Sequence, residues 1–224
     1  MIQIINDDCL NALKKMPDNS VDYVLTSPPY NVGRKRHYKS EPSKYEHFED
    51  ANPNYLQWSI NIIDELLRVT NNHIFWNIQS RWTNKIDVYK LIGHYSDKIL
   101  QNFIWTKESF TPASERYAIS NAVEYILGIS NQTRIKGNNI FNKNHIHTMT
   151  KPERIKGHNA VMNQQISDFF IENFTKKNEI VLDPFMGSGT TGISCVKNNR
   201  SFIGIELSSE YCETAEKRIN EANN

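Results

Sequence analysis

The chain has 224 residues, 38% of them hydrophobic and 23% charged, which suits one globular domain with a full core. A net charge of +1 excludes an overall basic field as the means of holding a polyanion. No apolar run approaches the roughly 20 residues of a membrane span. The start, MIQIINDDCL, lacks the basic-then-apolar pattern of a signal peptide. The cysteines Cys9, Cys195 and Cys212 are odd in number and show no metal-ligand spacing, so no metal site and a reducing, cytoplasmic setting are expected.

In chain order, MIQIIN reads as a short strand and VDYVLTS as a second. A helix is predicted from Asn52, with Pro53 at its first position, where a missing backbone donor costs nothing. Leu56, Ile60, Ile63 and Leu67 give it one apolar face. NHIFWNI (72–78) reads as a buried strand, and WTNKIDVYKLIGH as a helix closed at Gly93. ILQNFIW (99–105) and AVEYILGI (122–129) read as further strands. QQISDFFIENF (164–174) is amphipathic, with Ile166, Phe170 and Phe174 on one face. Strand EIVLD (179–183), helix TTGISCVKNN, strand SFIGIE (201–206) and a last helix from Ser208 complete the chain. The alternation predicts an α/β layer fold. Segment 131–156 is rich in Asn, Lys and His, and is expected to be a long functional loop or small lobe.

Two stretches carry chemistry. LTSPPYNVG (25–33) ends a buried strand on tandem prolines, which neither a helix nor a central strand accommodates. Such a turn is a stiff connection, a polyproline docking site, or a rigid mount for the Ser27 hydroxyl and a backbone carbonyl. EIVLDPFMGSGTTGISCV (179–196) runs from a strand through Gly187, Ser188 and Gly189 into a helix at Thr190. Glycines at such a turn let a ligand approach the backbone, and the helix start offers unpaired N–H groups. No Lys follows the last glycine, so this is not a phosphate-binding P-loop. Thr191 stands where a third dinucleotide-fold glycine belongs, which weakens a nicotinamide reading. Glu206 closes the next strand, where a carboxylate can accept both hydroxyls of a ribose. Its alternative role is to complement the dipole of the last helix.

DPFMGSGTTG together with TSPPYN resembles the DNA amino-methyltransferases. The order, catalytic motif first and glycine motif last, resembles the β group of that family. The resemblance implies a Rossmann-like class I methyltransferase fold: a mixed seven-stranded sheet flanked by helices, with a small target-recognition insertion. It divides the chain into a catalytic half (1–130), a recognition loop or lobe (131–156) and a cofactor half (157–224). It implies S-adenosyl-L-methionine as cofactor, with Thr26, Asp183, Phe185, Gly187, Ser188, Gly189 and Thr190 around it and Glu206 on its ribose. Asp8 matches the family's acidic residue near the adenine, and its local alternative is helix capping. The stretch HNAVMN (158–163) matches the family's adenine-covering segment at His158 and Ala160, with Met162 in place of an aromatic.

The resemblance assigns Ser27, Pro28, Pro29 and Tyr30 to catalysis. An exocyclic base amine is a poor nucleophile because its lone pair is delocalised into the ring. Ser27 Oγ and the Pro28 carbonyl would accept its hydrogens, Pro29 would stiffen the turn, and Tyr30 would stack on a base flipped from duplex DNA. The family's cytosine enzymes mostly carry Ser before Pro-Pro-Tyr and its adenine enzymes mostly Asp. The expected reaction is therefore methylation of the cytosine 4-amino group, with the adenine 6-amino group as runner-up. Double-stranded DNA is the expected partner, contacted through Arg34, Lys35 and Arg36 and through Arg134, Lys136, Lys143, Lys151 and Arg154. Each basic stretch taken alone also reads as solvated surface. The resemblance admits a cognate restriction endonuclease and a homodimer. Other readings are a NAD-dependent oxidoreductase, an inactive DNA-binding homologue, and a methyltransferase for RNA or protein.

Overall fold

The structure, a computed structural model, describes residues 1–31, 52–107, 122–138, 143–148 and 161–223. The strands are β1 (Ile2–Asn6), β2 (Val21–Thr26), β3 (Thr70–Ile78), β4 (Ile99–Lys107), β5 (Val123–Ile129), β6 (His145–Thr148), β7 (Ile180–Asp183) and β8 (Ser201–Glu206). The helices are α1 (Cys9–Lys15), α2 (Tyr55–Val69), α3 (Lys85–His94), α4 (Gln164–Phe174), α5 (Thr190–Lys197) and α6 (Ser209–Asn223). All strands join one sheet in the order β1-β8-β7-β2-β3-β5-β4-β6. Among the described strands β5 alone runs antiparallel to its neighbours.

The described residues give the sheet eight strands rather than the expected seven. The additional strand is β6, which lies inside the stretch expected to be a loop or lobe and pairs with β4 from Ile104↔His145 to Lys107↔Thr148. Its sequence, HIHT, buries only Ile146 and Thr148, too short an alternation to stand out as a strand. The Trp105 indole N–H donates to the Thr148 hydroxyl at 3.0 Å and fixes the register.

Two helix boundaries also differ. The chain turns through Asn52–Asn54 before α2, so Pro53 precedes the helix instead of opening it. Gly93 lies within the last turn of α3, where a Cβ would meet open space, so nothing there demands a break.

The period-2 alternation of the strands builds two cores. Along β3, Ile74, Trp76 and Ile78 face the side covered by α1, α2 and α3, against Leu13, Ile62, Ile63 and Leu66. Phe75 faces the other side, where α4 packs Phe170 and Phe174 at ring separations of 4.5 and 4.7 Å. Each such side chain contributes about 1.5–3 kcal/mol on burial. Removing the Phe170 ring would cost about 3–5 kcal/mol. Because both faces are covered, the central strands β2 and β7 are almost continuously apolar. They pair in parallel, Tyr23↔Val181 and Val24↔Leu182, and end together at one edge of the sheet. Ligands bind at that carboxyl edge in open α/β sheets. Among the described residues, no helix is long and apolar enough to cross a membrane.

Candidate active site

The Ser-Pro-Pro-Tyr turn leaves β2 at the carboxyl edge and is held from outside. The Tyr55 hydroxyl, at the start of α2, donates to the Pro29 carbonyl at 3.0 Å. The buried Asn84 amide donates to the Tyr30 carbonyl at 2.6 Å and to the Gln79 carbonyl at 2.9 Å. Asn31 has a left-handed backbone (φ 56) and exchanges two hydrogen bonds with the Asn52 backbone. Among the described residues the Pro28 carbonyl accepts no hydrogen bond. The turn therefore spends the carbonyls of Pro29 and Tyr30 on anchoring, which leaves the carbonyl between Ser27 and Pro29 as an acceptor on a stiff backbone.

The glycine turn leaves β7 at the same edge. Asp183 is buried, and its carboxylate accepts from the Thr26 hydroxyl (2.8 Å), the Thr191 hydroxyl (2.7 Å) and the Phe185 amide (3.1 Å). Burial pushes its carboxyl up to about 6, and the charge of Glu206 acts the same way, while those three donors pull it down. Gly189 caps α5 with φ 84, and a Cβ there would come within 3.0 Å of Ala215 on α6. The glycine at this position thus serves the approach of α6 as well as the turn. Phe185 is braced by Trp58 and Trp76 at ring separations of 5.5 and 6.2 Å.

Glu206 ends β8 beside Asn6 of β1. One of its oxygens accepts from the Gly187 amide and the other from the Ser208 amide, both at 2.9 Å. Burial raises its carboxyl above the usual range, partly offset by those amides. Each oxygen keeps a lone pair for a further donor. Asp8 lies two residues beyond Asn6 and caps α1, accepting from the Asn11 amide at 3.0 Å.

A cavity of about 50 Å³ joins the two turns. Ser27, Met162, Asp183, Phe185, Gly187, Ser188 and Thr190 line it, with Met186 and Thr191. Its lining, one buried carboxylate (Asp183), the start of α5 and the apolar side chains of Met162, Phe185 and Met186, suits a cationic sulfonium with an apolar arm, and Glu206 reaches the neighbouring Gly187 amide from β8.

Three polar residues that sequence reasoning missed stand behind Ser27. The Ser27 and Tyr30 hydroxyls are 3.0 Å apart, and the Tyr30 hydroxyl donates to Glu124 Oε2 at 3.0 Å. The Asn77 amide donates to the same oxygen at 2.9 Å and approaches Ser27 Oγ at 3.4 Å. The Lys107 ammonium pairs with Glu124 Oε1. Burial, then the Glu124 charge, lifts the Tyr30 phenol well above its ordinary value, so it stays protonated. Glu124 had a readable signal: a carboxylate inside the apolar run of β5, 5% exposed.

The structure separates the basic residues. Arg134 and Lys136 follow the end of β5, which runs antiparallel to β3 and so exits at the edge opposite Ser27. Lys143 precedes β6, which climbs toward the catalytic edge and ends at Thr148. Arg34, Lys35, Arg36, Lys151, Arg154, His158 and Ala160 lie outside the described residues. The cysteines are all buried; burial pushes Cys9 up to about 12 and Cys212 up to about 11, and Cys195 is raised further, so none is a thiolate nucleophile at neutral pH.

Known proteins resemble the chain along its length. It is 26% identical over 243 residues to the type II methyltransferase M.HpaI of Haemophilus parainfluenzae, covering 97% of this chain and 74% of that protein. It is 27% identical over 257 residues to the type II methyltransferase M.BglII of Bacillus subtilis, covering 95% and 67%. Its fold superimposes on the PvuII DNA methyltransferase (cytosine-N4-specific) with a TM-score of 0.78 at 18% identity, covering 100% and 91%. It superimposes on the M1.HpyAVI–SAM complex with a TM-score of 0.69 at 25% identity, covering 97% and 100%. The fold is that of the class I methyltransferases. The N6/N4 profile described as DNA methylase matches residues 21–217, and the chain belongs to that family.

Proposed function

We propose that the protein is a site-specific DNA methyltransferase that places a methyl group on the 4-amino nitrogen of a cytosine flipped out of duplex DNA. The observation that carries this reading is the shared cavity: Ser27 lines the same space as Asp183, Gly187 and Thr190. The cofactor is S-adenosyl-L-methionine, which supplies an electrophilic methyl group when bound.

The chain's own residues divide the work. Glu206 accepts the ribose hydroxyls, and Asp8, beyond the neighbouring strand, serves the adenine end. Met162, with His158 and Ala160 next to it in sequence, covers the adenine. Thr26, Asp183, Phe185, Gly187, Ser188, Gly189 and Thr190 form the wall on the methionine side. Ser27 Oγ and the Pro28 carbonyl accept the two amine hydrogens, which draws the nitrogen toward tetrahedral geometry and stabilises the positive charge that grows there. Pro29 splints the turn. The Tyr30 ring offers a stacking face, while its hydroxyl is committed to Ser27 and Glu124.

Ser27, where an Asp would favour adenine, supports cytosine. DNA phosphates are assigned to Arg34, Lys35 and Arg36, which follow Tyr30, and to Lys143, Lys151 and Arg154, which flank β6. The type II names of the relatives support a role in protecting DNA from a cognate restriction endonuclease.

The test is methyl transfer from labelled cofactor to unmethylated genomic DNA, followed by digestion to nucleosides and mass spectrometry. N4-methylcytosine is the expected product. 6-Methyladenine alone would overturn the base assignment, and unlabelled DNA would overturn the reaction.

A further inference from the structure

The hydrogen bonds behind Ser27 allow its proton to be placed. Among the described residues, every hydrogen-bonding neighbour of the Glu124 carboxylate is a donor: the Lys107 ammonium at Oε1, the Tyr30 hydroxyl and the Asn77 amide at Oε2. An ionised carboxylate only accepts. The single Tyr30 proton is thus committed to Glu124. The Tyr30 oxygen that faces Ser27 at 3.0 Å then has only lone pairs to offer, so the proton between them belongs to Ser27. That leaves both Ser27 lone pairs unspent by Tyr30. One meets the Asn77 amide only at 3.4 Å, and that amide has a better acceptor in Glu124 at 2.9 Å. The other is available on the cavity side, where Ser27 forms part of the lining.

We infer that Glu124 is a positioning residue that turns the Ser27 hydroxyl proton away from the cavity, so that Ser27 meets the target amine as an acceptor. A serine free to rotate would point its proton at the amine for part of the time, which engages the lone pair that must attack and opposes the positive charge that grows on nitrogen. The inference rests on the proposed amine methylation. It assigns a second task to Lys107: it supplies the counter-charge that lets Glu124 remain a buried acceptor.

Glu124→Gln tests this directly. Both carboxylate oxygens meet donors, so the new amide must set its NH2 against either Lys107 or the Tyr30–Asn77 pair. The expected result is a kcat about 100-fold lower, with KM for DNA within about 3-fold, as for loss of one oriented acceptor. In Lys107→Met combined with Glu124→Gln, the amide can turn its NH2 toward Met and its carbonyl toward Tyr30. The double variant is expected to recover at least about 10-fold of kcat over Glu124→Gln alone. A Glu124→Gln kcat within about 3-fold of the parent overturns the inference, as does a double variant no faster than the single one. Binding of S-adenosylhomocysteine reports that each variant is folded.

A second readout does not depend on turnover. The hydroxyl proton of Tyr30, identified by its loss in Tyr30→Phe, is expected to move upfield in the NMR spectrum of Glu124→Gln. An unmoved resonance would sink the assigned proton direction even if the enzyme methylates DNA. Conversely, a moved resonance in a protein that leaves DNA unmethylated would refute the reaction and keep the hydrogen-bond direction.

Discussion

The Thr26 hydroxyl donates to Asp183 across 157 positions of sequence, at 2.8 Å. This bond ties the last residue of β2 to the last residue of β7. The strand that carries the Ser-Pro-Pro-Tyr turn is thereby pinned to the strand that carries the glycine turn. Two reactants can meet in line only if their two mounts do not drift, and a misplacement of 1 Å costs heavily in rate.

Replacing Thr26 with Val keeps the shape and removes the donor. Asp183 is then left with the Thr191 hydroxyl and the Phe185 amide. Stability is expected to fall by about 1–2 kcal/mol. Urea unfolding checks this, with a lower midpoint and an unchanged slope.

Asp183 also shapes the dependence of stability on pH. Its folded-state carboxyl titrates at about 6, above its ordinary 3.8, so the folded protein binds the proton more readily than the unfolded chain. Stability from this group therefore rises as pH falls from 7 through 6 and levels off below about 4. Asp183→Asn lacks the effect. Between pH 7 and pH 5 the parent is expected to gain about 1 kcal/mol relative to that variant, and to keep gaining until the difference flattens below about pH 4. Denaturant titrations at the two pH values measure it. A parent that loses ground over that interval would contradict the raised carboxyl.

Glu206→Gln is expected to weaken cofactor binding by about 10- to 100-fold, the range for a charged hydrogen bond. Both carboxylate oxygens accept from backbone amides, so Gln must set its NH2 against either Gly187 or Ser208. Calorimetric titration with S-adenosylhomocysteine decides this. An unaltered Kd would move the ribose away from Glu206.

Ser27→Ala is expected to lower kcat about 100-fold while the cofactor Kd stays within about 2-fold. Ser27 lines the cavity, yet the carboxylates assigned to the cofactor, Asp8, Asp183 and Glu206, end or follow other strands. A parallel loss of cofactor binding would mean that Ser27 supports the cavity wall instead.

Asn84→Ala probes the clamp on the turn. It leaves the Tyr30 and Gln79 carbonyls and the Arg81 amide without their Asn84 partner. The expected cost is about 3 kcal/mol in unfolding free energy, together with a fall in kcat measured under conditions where the variant is folded. Full activity in the folded variant would show that Tyr55 and Asn31 hold the turn without Asn84.

Much of this protein was legible from local chemistry. The β2 strand had to end at its tandem prolines because neither can donate to a ladder. Gly187 and Gly189 announced a turn into a helix, and both carry positive φ. The strand–helix alternation led to the α/β layers, and the motif order led to the family. The tertiary structure alone decided what lies behind Ser27. Glu124 and Lys107 come from β5 and β4, and Asn77 comes from β3. Only the antiparallel insertion of β5 between β3 and β4 brings their side chains to one point. It decided equally that Arg134 and Lys136 leave the sheet at the far edge, since the direction of β5 is invisible in its own residues. Local sequence states what each segment is able to form. Pairing between distant strands, driven by burial of both sheet faces, states where its polar groups end up.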